Sequence, residues 1–310
     1  MYPHDLHDRC VQRLRGLEIP RPFHLDVFAA TVAQRRQRAL HILPLPGLNG
    51  SDGLSGAWVA TDTADYVLID TDASPWHRNL IGLHEIGHLL CGHDAEDSGL
   101  RLRELAENLL PRLSNVTVRR ILGRHSFRSS DEQEAELMAC LILTGLSVPA
   151  FGAAPQAASD LASIRALRGL WRDLVGAVPG VALGHWERGA ANPVSDPRIR
   201  LIRRTAEIRD AALALRCYVP ADVAAESRSR LSARGLTGTA LDAAAEACWL
   251  ELAIRAARMG TPAAELAHIL PGGVTLQEEA QWLRQVAAAV HSHHVRVVAA
   301  ELSGQPLTHL

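Results

Sequence analysis

Lysine is absent from the sequence: all 32 basic residues are arginine, and 34 acidic residues leave a formal charge of −2. This near-neutral balance provides no general electrostatic attraction to polyanions, so direct nucleic-acid binding is not expected. Cysteine is scarce, and its five copies are scattered without a CxxC pair. An odd, dispersed set excludes a disulfide framework and favours a reducing compartment.

Long hydrophobic runs are also missing. The segment MYPHDLHDRC at the start has no basic region followed by an apolar stretch, so no secretory signal is expected. The longest weakly polar run, 139–158, is interrupted by two glycines and two prolines, which excludes a good membrane span. We therefore expect a soluble, cytoplasmic protein. Its 310 residues, 47% of them apolar, can form one large domain or two ordinary ones.

Three short segments have the apolar, β-branched character of strands: 39–45, 56–61 and 65–70. The last two flank the polar turn 62–64, which predicts a β-hairpin. Such a hairpin can offer an edge strand to which an extended peptide adds, or it can serve only as a structural cover. Both interpretations stay open at this point.

Helical spacing of apolar residues predicts helices before and after these strands, over 5–17, 25–38, 100–110, 116–122 and 129–143. A further strong helix is expected from Ser74 to Cys91. Ser74 suits an N-cap, Pro75 suits the first helical position, and Gly92 suits a C-terminal stop.

A stretch rich in Gly, Ala and Pro, 145–158, marks the expected domain boundary, at about residue 154. The first domain, 1–154, is predicted to be α+β, and the second, 155–310, to be all-α. The protein as a whole is then mostly α. We expect the helical domain to bind a protein partner.

The strongest chemical signal is the segment HEIGH, 84–88, within the predicted helix. His84 and His88 are four residues apart, so both imidazoles project from one helical face and can bind a single zinc ion. Glu85 lies beside the remaining coordination position, where it can act as a general base. This is the HExxH pattern of zinc peptidases.

A catalytic zinc needs a third protein ligand, and the helix over 129–143 offers Glu132. Glu136, one turn further on, shares its face and is the expected partner for the free ring nitrogen of a ligand histidine. His93 is the alternative third ligand, although it is out of register with the metzincin pattern.

The segments HEIGHLL, 84–90, and EQEAELMACLIL, 132–143, resemble the ImmA/IrrE-type metallopeptidases. The resemblance covers the first half of the chain and implies a small gluzincin-like fold. It also implies that His84, His88 and Glu132 bind Zn²⁺ and that Glu85 is the catalytic base. Glu136 departs from the Asn or Asp that is commoner in the family. The 43 residues between His88 and Glu132 indicate an enlarged insertion.

We accordingly expect a zinc-dependent endopeptidase of restricted specificity, whose substrate is a regulatory protein such as a helix-turn-helix transcriptional repressor. Two alternatives remain. One is a non-catalytic regulatory or toxin–antitoxin-type binding protein with a structural or vestigial zinc site. The other is a metal-dependent hydrolase of a small amide, which predicts an enclosed pocket. The oligomeric state is not predicted.

Some expectations concern residues outside this motif. The oxyanion stabiliser is left open among Tyr66, His77, His93 and His125. The arginines between 198 and 204 are expected to form a solvated helix face. Segments 171–184 and 203–215 resemble a helical C-terminal module of actinobacterial regulatory proteins, some of them membrane-linked.

Overall fold

A small mixed sheet carries the first half of the fold. The computed structural model describes residues 3–46, 48, 55–93, 118–123, 129–144, 153–181, 196–260 and 271–303. The sheet has the order β1-β3-β2-β4, with strands β1 (Ala39–Leu45), β2 (Gly56–Thr61), β3 (Ala64–Asp70) and β4 (Val118–Gly123). β1 is parallel to β3, and β2 is antiparallel to both β3 and β4.

The predicted hairpin is confirmed as β2 and β3, with Trp58 opposite Val67. Of the two interpretations left open, the edge strand is excluded, because β1 and β4 pair with the two outer sides of the hairpin. The helix predicted over 116–122 is also wrong, since 118–123 form β4, with Ile121 opposite Val59. A six-residue segment has too little helical stability of its own to resist pairing with an exposed backbone edge. The helix predicted over 100–110 lies outside the described residues.

The described residues of this half form four helices: α1 (Pro3–Leu14), α2 (Leu25–Arg36), α3 (Pro75–Cys91) and α4 (Ser129–Thr144). α3 packs on the sheet face that presents Trp58, Val67 and Ile69 to the main core. The opposite face carries a separate small cluster of buried side chains, Leu48, Ala57, Val59 and Leu68. α3 therefore packs against only one of the two faces of the sheet.

The ends of α3 follow its local sequence, as predicted. The Ser74 hydroxyl accepts a hydrogen bond from the His77 amide, and Pro75 opens the helix. Gly92 ends it with φ +67°, a conformation that side chains with a Cβ rarely adopt. The chain then turns so that the His93 amide donates to the His88 carbonyl at 3.1 Å. This turn fixes where His93 lies.

All regular elements among the described residues of the second half are helices, in agreement with the prediction. Its helices are α5 (Ala153–Ala166), α6 (Arg168–Ala177), α7 (Pro197–Ala214), α8 (Ala221–Ala233), α9 (Gly238–Met259), α10 (Leu276–Val290) and α11 (His293–Ser303). The main apolar core runs without interruption from α1 to α11. The boundary near residue 154 stays a prediction.

A buried charge network joins three helices of this half. Arg209 of α7 is fully buried and pairs with Glu246 of α9 at 2.8 Å and with Glu279 of α10. Its guanidinium also donates to the Pro271 carbonyl at 2.7 Å. The adjacent Gly273 carbonyl accepts from the backbone of α3, at Trp76. The network therefore fixes α7 in the bundle and also connects the bundle to the N-terminus of α3.

Membrane insertion finds no support in these helices. Within the part of the chain that the structure describes, no helix combines the length and apolar character needed to cross a bilayer.

Candidate metal centre

The candidate centre lies where α3 crosses α4. Gly87 makes the close approach possible, because a Cβ at this position would lie 2.9 Å from the Ala135 carbonyl oxygen and 3.1 Å from its Cα. Real Cβ atoms do not approach backbone so closely. The glycine of HEIGH thus lets α4 lie directly against the helix that carries both histidines.

This crossing brings the three predicted metal ligands together. Nε2 of His84 lies 3.1 Å from Nε2 of His88 and 3.2 Å from Oε2 of Glu132. The second oxygen of Glu132 lies 3.6 Å from Nε2 of His88. Ligand atoms at zinc-binding distances of about 2.0–2.2 Å in a tetrahedron are separated by about 3.3–3.5 Å. The three side chains therefore have the spacing of one face of a zinc coordination shell.

The donor set fits zinc chemically as well. Two imidazole nitrogens and one carboxylate oxygen are ligands that zinc accepts at catalytic sites. Oε1 of Glu132 is buried and has no hydrogen-bond donor among the described residues. A buried carboxylate oxygen without a donor is costly, and a bound cation would remove that cost.

Glu85 lines the same small pocket as His84. The residue is buried, with 4% of its surface exposed. It faces the first residue of β2, since a Cβ on Gly56 would lie 3.2 Å from its Oε1. The absence of a side chain at Gly56 leaves space for the Glu85 carboxylate against the strand.

His93 does not take the place of Glu132 in the described ligand group. Its Nδ1 lies 2.9 Å from Nδ1 of His88, and its Nε2 lies 3.1 Å from Oε2 of Glu134. Both ring nitrogens of His93 are therefore engaged. His93 contacts the nitrogen of His88 that does not face Glu132. Glu136 was expected to contact the free ring nitrogen of a ligand histidine. For His88, His93 makes this contact instead.

Cys91, His93 and Glu134 form a second group whose ligand atoms lie within 4.8 Å of one another. Arg9 and Arg13 of α1 approach the Glu134 carboxylate at 3.4 and 3.9 Å. Two nearby guanidinium groups disfavour a divalent cation. This group is better suited to orienting His88 than to holding a second metal.

Glu136 faces the helical half of the protein. Its Oε1 forms an ion pair with Nε of Arg203 on α7 at 2.5 Å. The predicted contact of Glu136 with a ligand histidine remains a prediction for His84. For His88 that position is held by His93.

Of the four arginines between 198 and 204, Arg200 alone is exposed, so they do not form the solvated face that was expected. Arg203 is largely buried, and Arg198 pairs with Asp160 at 3.4 Å. Arg204 lies over the Trp171 ring, 3.8 Å from its centroid. The sequence shows the charges, but only the packing of α7 determines which partners they reach.

Four side chains were open candidates for the oxyanion stabiliser. Tyr66 stacks on His41 on the sheet face away from α3, and His93 is engaged with His88. His125 lies outside the described residues. His77 is buried and lies on the same face of α3 as His84, with Nε2 3.1 Å from Asp210 of α7. Sequence analysis missed Arg203 and Asp210 as neighbours of the centre; they are seven residues apart on one helix.

Comparison with known proteins gives one result. Residues 156–292 match the profile of a family of unknown function, DUF6545. No curated protein and no solved structure matches the chain. The matched segment contains α7, whereas His84, Glu85, His88 and Glu132 precede it. The similarity to this family therefore falls on the helical half.

Proposed function

We propose that the protein is a zinc-dependent hydrolase of amide bonds, a peptidase of restricted specificity with a gluzincin-like first half. One observation carries the proposal: the Nε2 atoms of His84 and His88 lie 3.1 Å apart, and each lies 3.2–3.6 Å from one carboxylate oxygen of Glu132. Glu85 is buried on α3, the helix that carries both histidines. The resemblance of HEIGHLL and the Glu132 helix to ImmA/IrrE-type metallopeptidases supports the same assignment.

His84, His88 and Glu132 would hold the metal. Bound zinc would polarise the scissile carbonyl and bring the pKa of water down to about 7. Glu85 would accept the proton of the attacking water and return it to the departing amine. His93 would keep the His88 ring in the orientation that turns Nε2 towards Glu132, because it engages the opposite nitrogen.

A structural zinc site is the main alternative. Such a site is closed by four protein ligands, whereas a catalytic site keeps one position open. His93 was the residue expected to close it. Among the residues that the structure describes, three ligands gather at the centre, and both nitrogens of His93 are engaged elsewhere. This arrangement favours a catalytic role.

A hydrolase of a small amide is the second candidate. It is favoured by a small pocket of about 40 Å³, formed by α3, α4 and α7, beside His84 and Glu85. Ordinary small-molecule sites have volumes of about 300–1,000 Å³, so this pocket accepts only a small group. A regulatory protein such as a helix-turn-helix repressor remains the substrate proposed from the resemblance.

Metal analysis and cleavage together test the proposal. Elemental mass analysis of the purified protein should give about one zinc per chain, and Glu132→Ala should lose it. Glu85→Gln should retain the zinc yet cleave no member of a random peptide library, with products read by mass spectrometry. Glu251→Gln, at a helix-surface glutamate paired with Arg255, is the matched control. A parent without zinc, or Glu85→Gln cleaving as fast as the parent, would overturn the assignment.

A further inference from the structure

A slot lies between α3 and α7, with its floor on α4, and it opens beside the metal centre. His77 and Asp210 lie at one end, and Glu136 and Arg203 lie at the other. On α3 the seven residues from His77 to His84 correspond to about 10 Å. The slot therefore extends along α3 to His84 and Glu85, and α7 of the helical half provides one wall.

Four of the titratable side chains of the slot lie in two pairs. Arg203 pairs with Glu136, and His77 contacts Asp210. Glu85 adds a buried carboxylate to the lining, so an acidic substrate side chain is disfavoured. The remaining walls are apolar and are formed by Leu80, Ile81, Ala139, Cys140, Ile202 and Ala206.

The size of the slot limits what can enter. Its volume is about 40 Å³. This is far below the about 300–1,000 Å³ of ordinary small-molecule sites, so only a small side chain can enter. A side chain with one to three carbon atoms fits within this limit, whereas an aromatic ring does not.

We infer that this slot is the specificity pocket of the proposed hydrolase, and that it takes a small aliphatic side chain next to the scissile amide. The inference rests on the proposed function and identifies its substrate class: peptides with Ala- to Val-sized residues at that position. It also gives the helical half a defined role, because Ile202 and Ala206 set how deep the slot is.

Hydroxamates of single amino acids are suitable probes, because the hydroxamate group binds zinc and the side chain can enter a neighbouring pocket. Titration calorimetry would compare acetohydroxamate with the hydroxamates of alanine, valine and phenylalanine on the zinc-loaded protein. The alanine and valine compounds should bind at least about tenfold tighter than the phenylalanine compound. Acetohydroxamate reports on the zinc alone.

Two variants test the slot directly. Ala206→Leu fills it and should abolish the preference for alanine and valine hydroxamates, while acetohydroxamate binds as in the parent. Ile202→Ala enlarges it and should strengthen binding of phenylalanine hydroxamate. Ala240→Leu, at an exposed position of α9, is the matched control and should behave as the parent.

The outcomes separate the two proposals. If acetohydroxamate fails to bind because the protein holds no zinc, the proposed function fails. If acetohydroxamate binds but the phenylalanine compound binds as tightly as the alanine compound, the slot is not the specificity pocket. The same conclusion follows if Ala206→Leu retains the selectivity of the parent.

Discussion

Substitution of Gly87 by Ala gives a direct test of how the metal centre is assembled. The new Cβ would lie 2.9 Å from the Ala135 carbonyl oxygen, whereas ordinary contact begins at 3.4 Å. The two helices must therefore separate by about 0.5 Å at their crossing. Glu132 lies three residues before Ala135 on α4 and moves with it.

The expected loss follows from the tolerance of metal sites. Ligand distances at such sites hold to within about 0.2 Å, so a shift of about 0.5 Å weakens the bond to Glu132. We expect Gly87→Ala to lower zinc affinity by about 10–100-fold, the range seen when ligand orientation is disturbed. Overpacking costs about 1–3 kcal/mol of stability, and the better helix propensity of alanine returns about 1 kcal/mol.

The assay is competition for zinc against a chelator of known affinity, together with urea unfolding of the metal-free protein. Gly82→Ala is the control on the same helix. Its Cβ would meet the end of the Leu25 side chain at 2.5 Å, on α2 and away from α4. This variant should lose stability without a change in zinc affinity. If Gly87→Ala binds zinc as tightly as the parent, the crossing does not set the ligand geometry.

Two further predictions concern side chains around the centre and in the core. His93→Ala should weaken zinc binding about 10–100-fold because His88 loses its partner, with the exposed His291→Ala as control; unchanged affinity would refute the role of His93. Burial raises the pKa of the Cys10 thiol to about 12 and also raises the pKa of Cys140. The contribution of these thiols to the free energy of unfolding is therefore complete below about pH 8.5. It is lost as the pH rises towards their pKa values in the folded state. Relative to a Cys10→Ala, Cys140→Ala double variant, the parent should lose about 3 kcal/mol per thiol by pH 11 in urea unfolding; parallel pH profiles would contradict this.

The parts that sequence analysis predicted correctly depend on local signals. Ser74, Pro75 and Gly92 define α3 because a cap, a proline and a left-handed glycine act within one turn. The ligand atoms of His84 and His88 lie together because four-residue spacing on a helix places them so. The hairpin of β2 and β3 likewise needs only a short turn between two strand-forming segments.

The parts that it missed depend on contacts between distant segments. β4 is a strand because β2 offers it a free edge, and no pattern within 118–123 indicates that edge. Arg203 reaches Glu136 because α7 packs across α3 and α4, although 66 residues separate the two. His93 was placed near the centre, but its support of His88 depends on the turn after Gly92 and on Glu134 of α4.

The proposed ligands and one wall of the pocket come from different parts of the chain, and this affects how function can be inferred from similarity. Every proposed zinc ligand and the proposed base precede residue 156, whereas the wall formed by Ile202, Arg203 and Ala206 lies within the segment that matches the family profile. A protein that shares only this segment would lack the proposed zinc ligands and the proposed base. An activity can therefore be assigned to another member of the family by similarity only if that protein also contains HExxH and the distant glutamate.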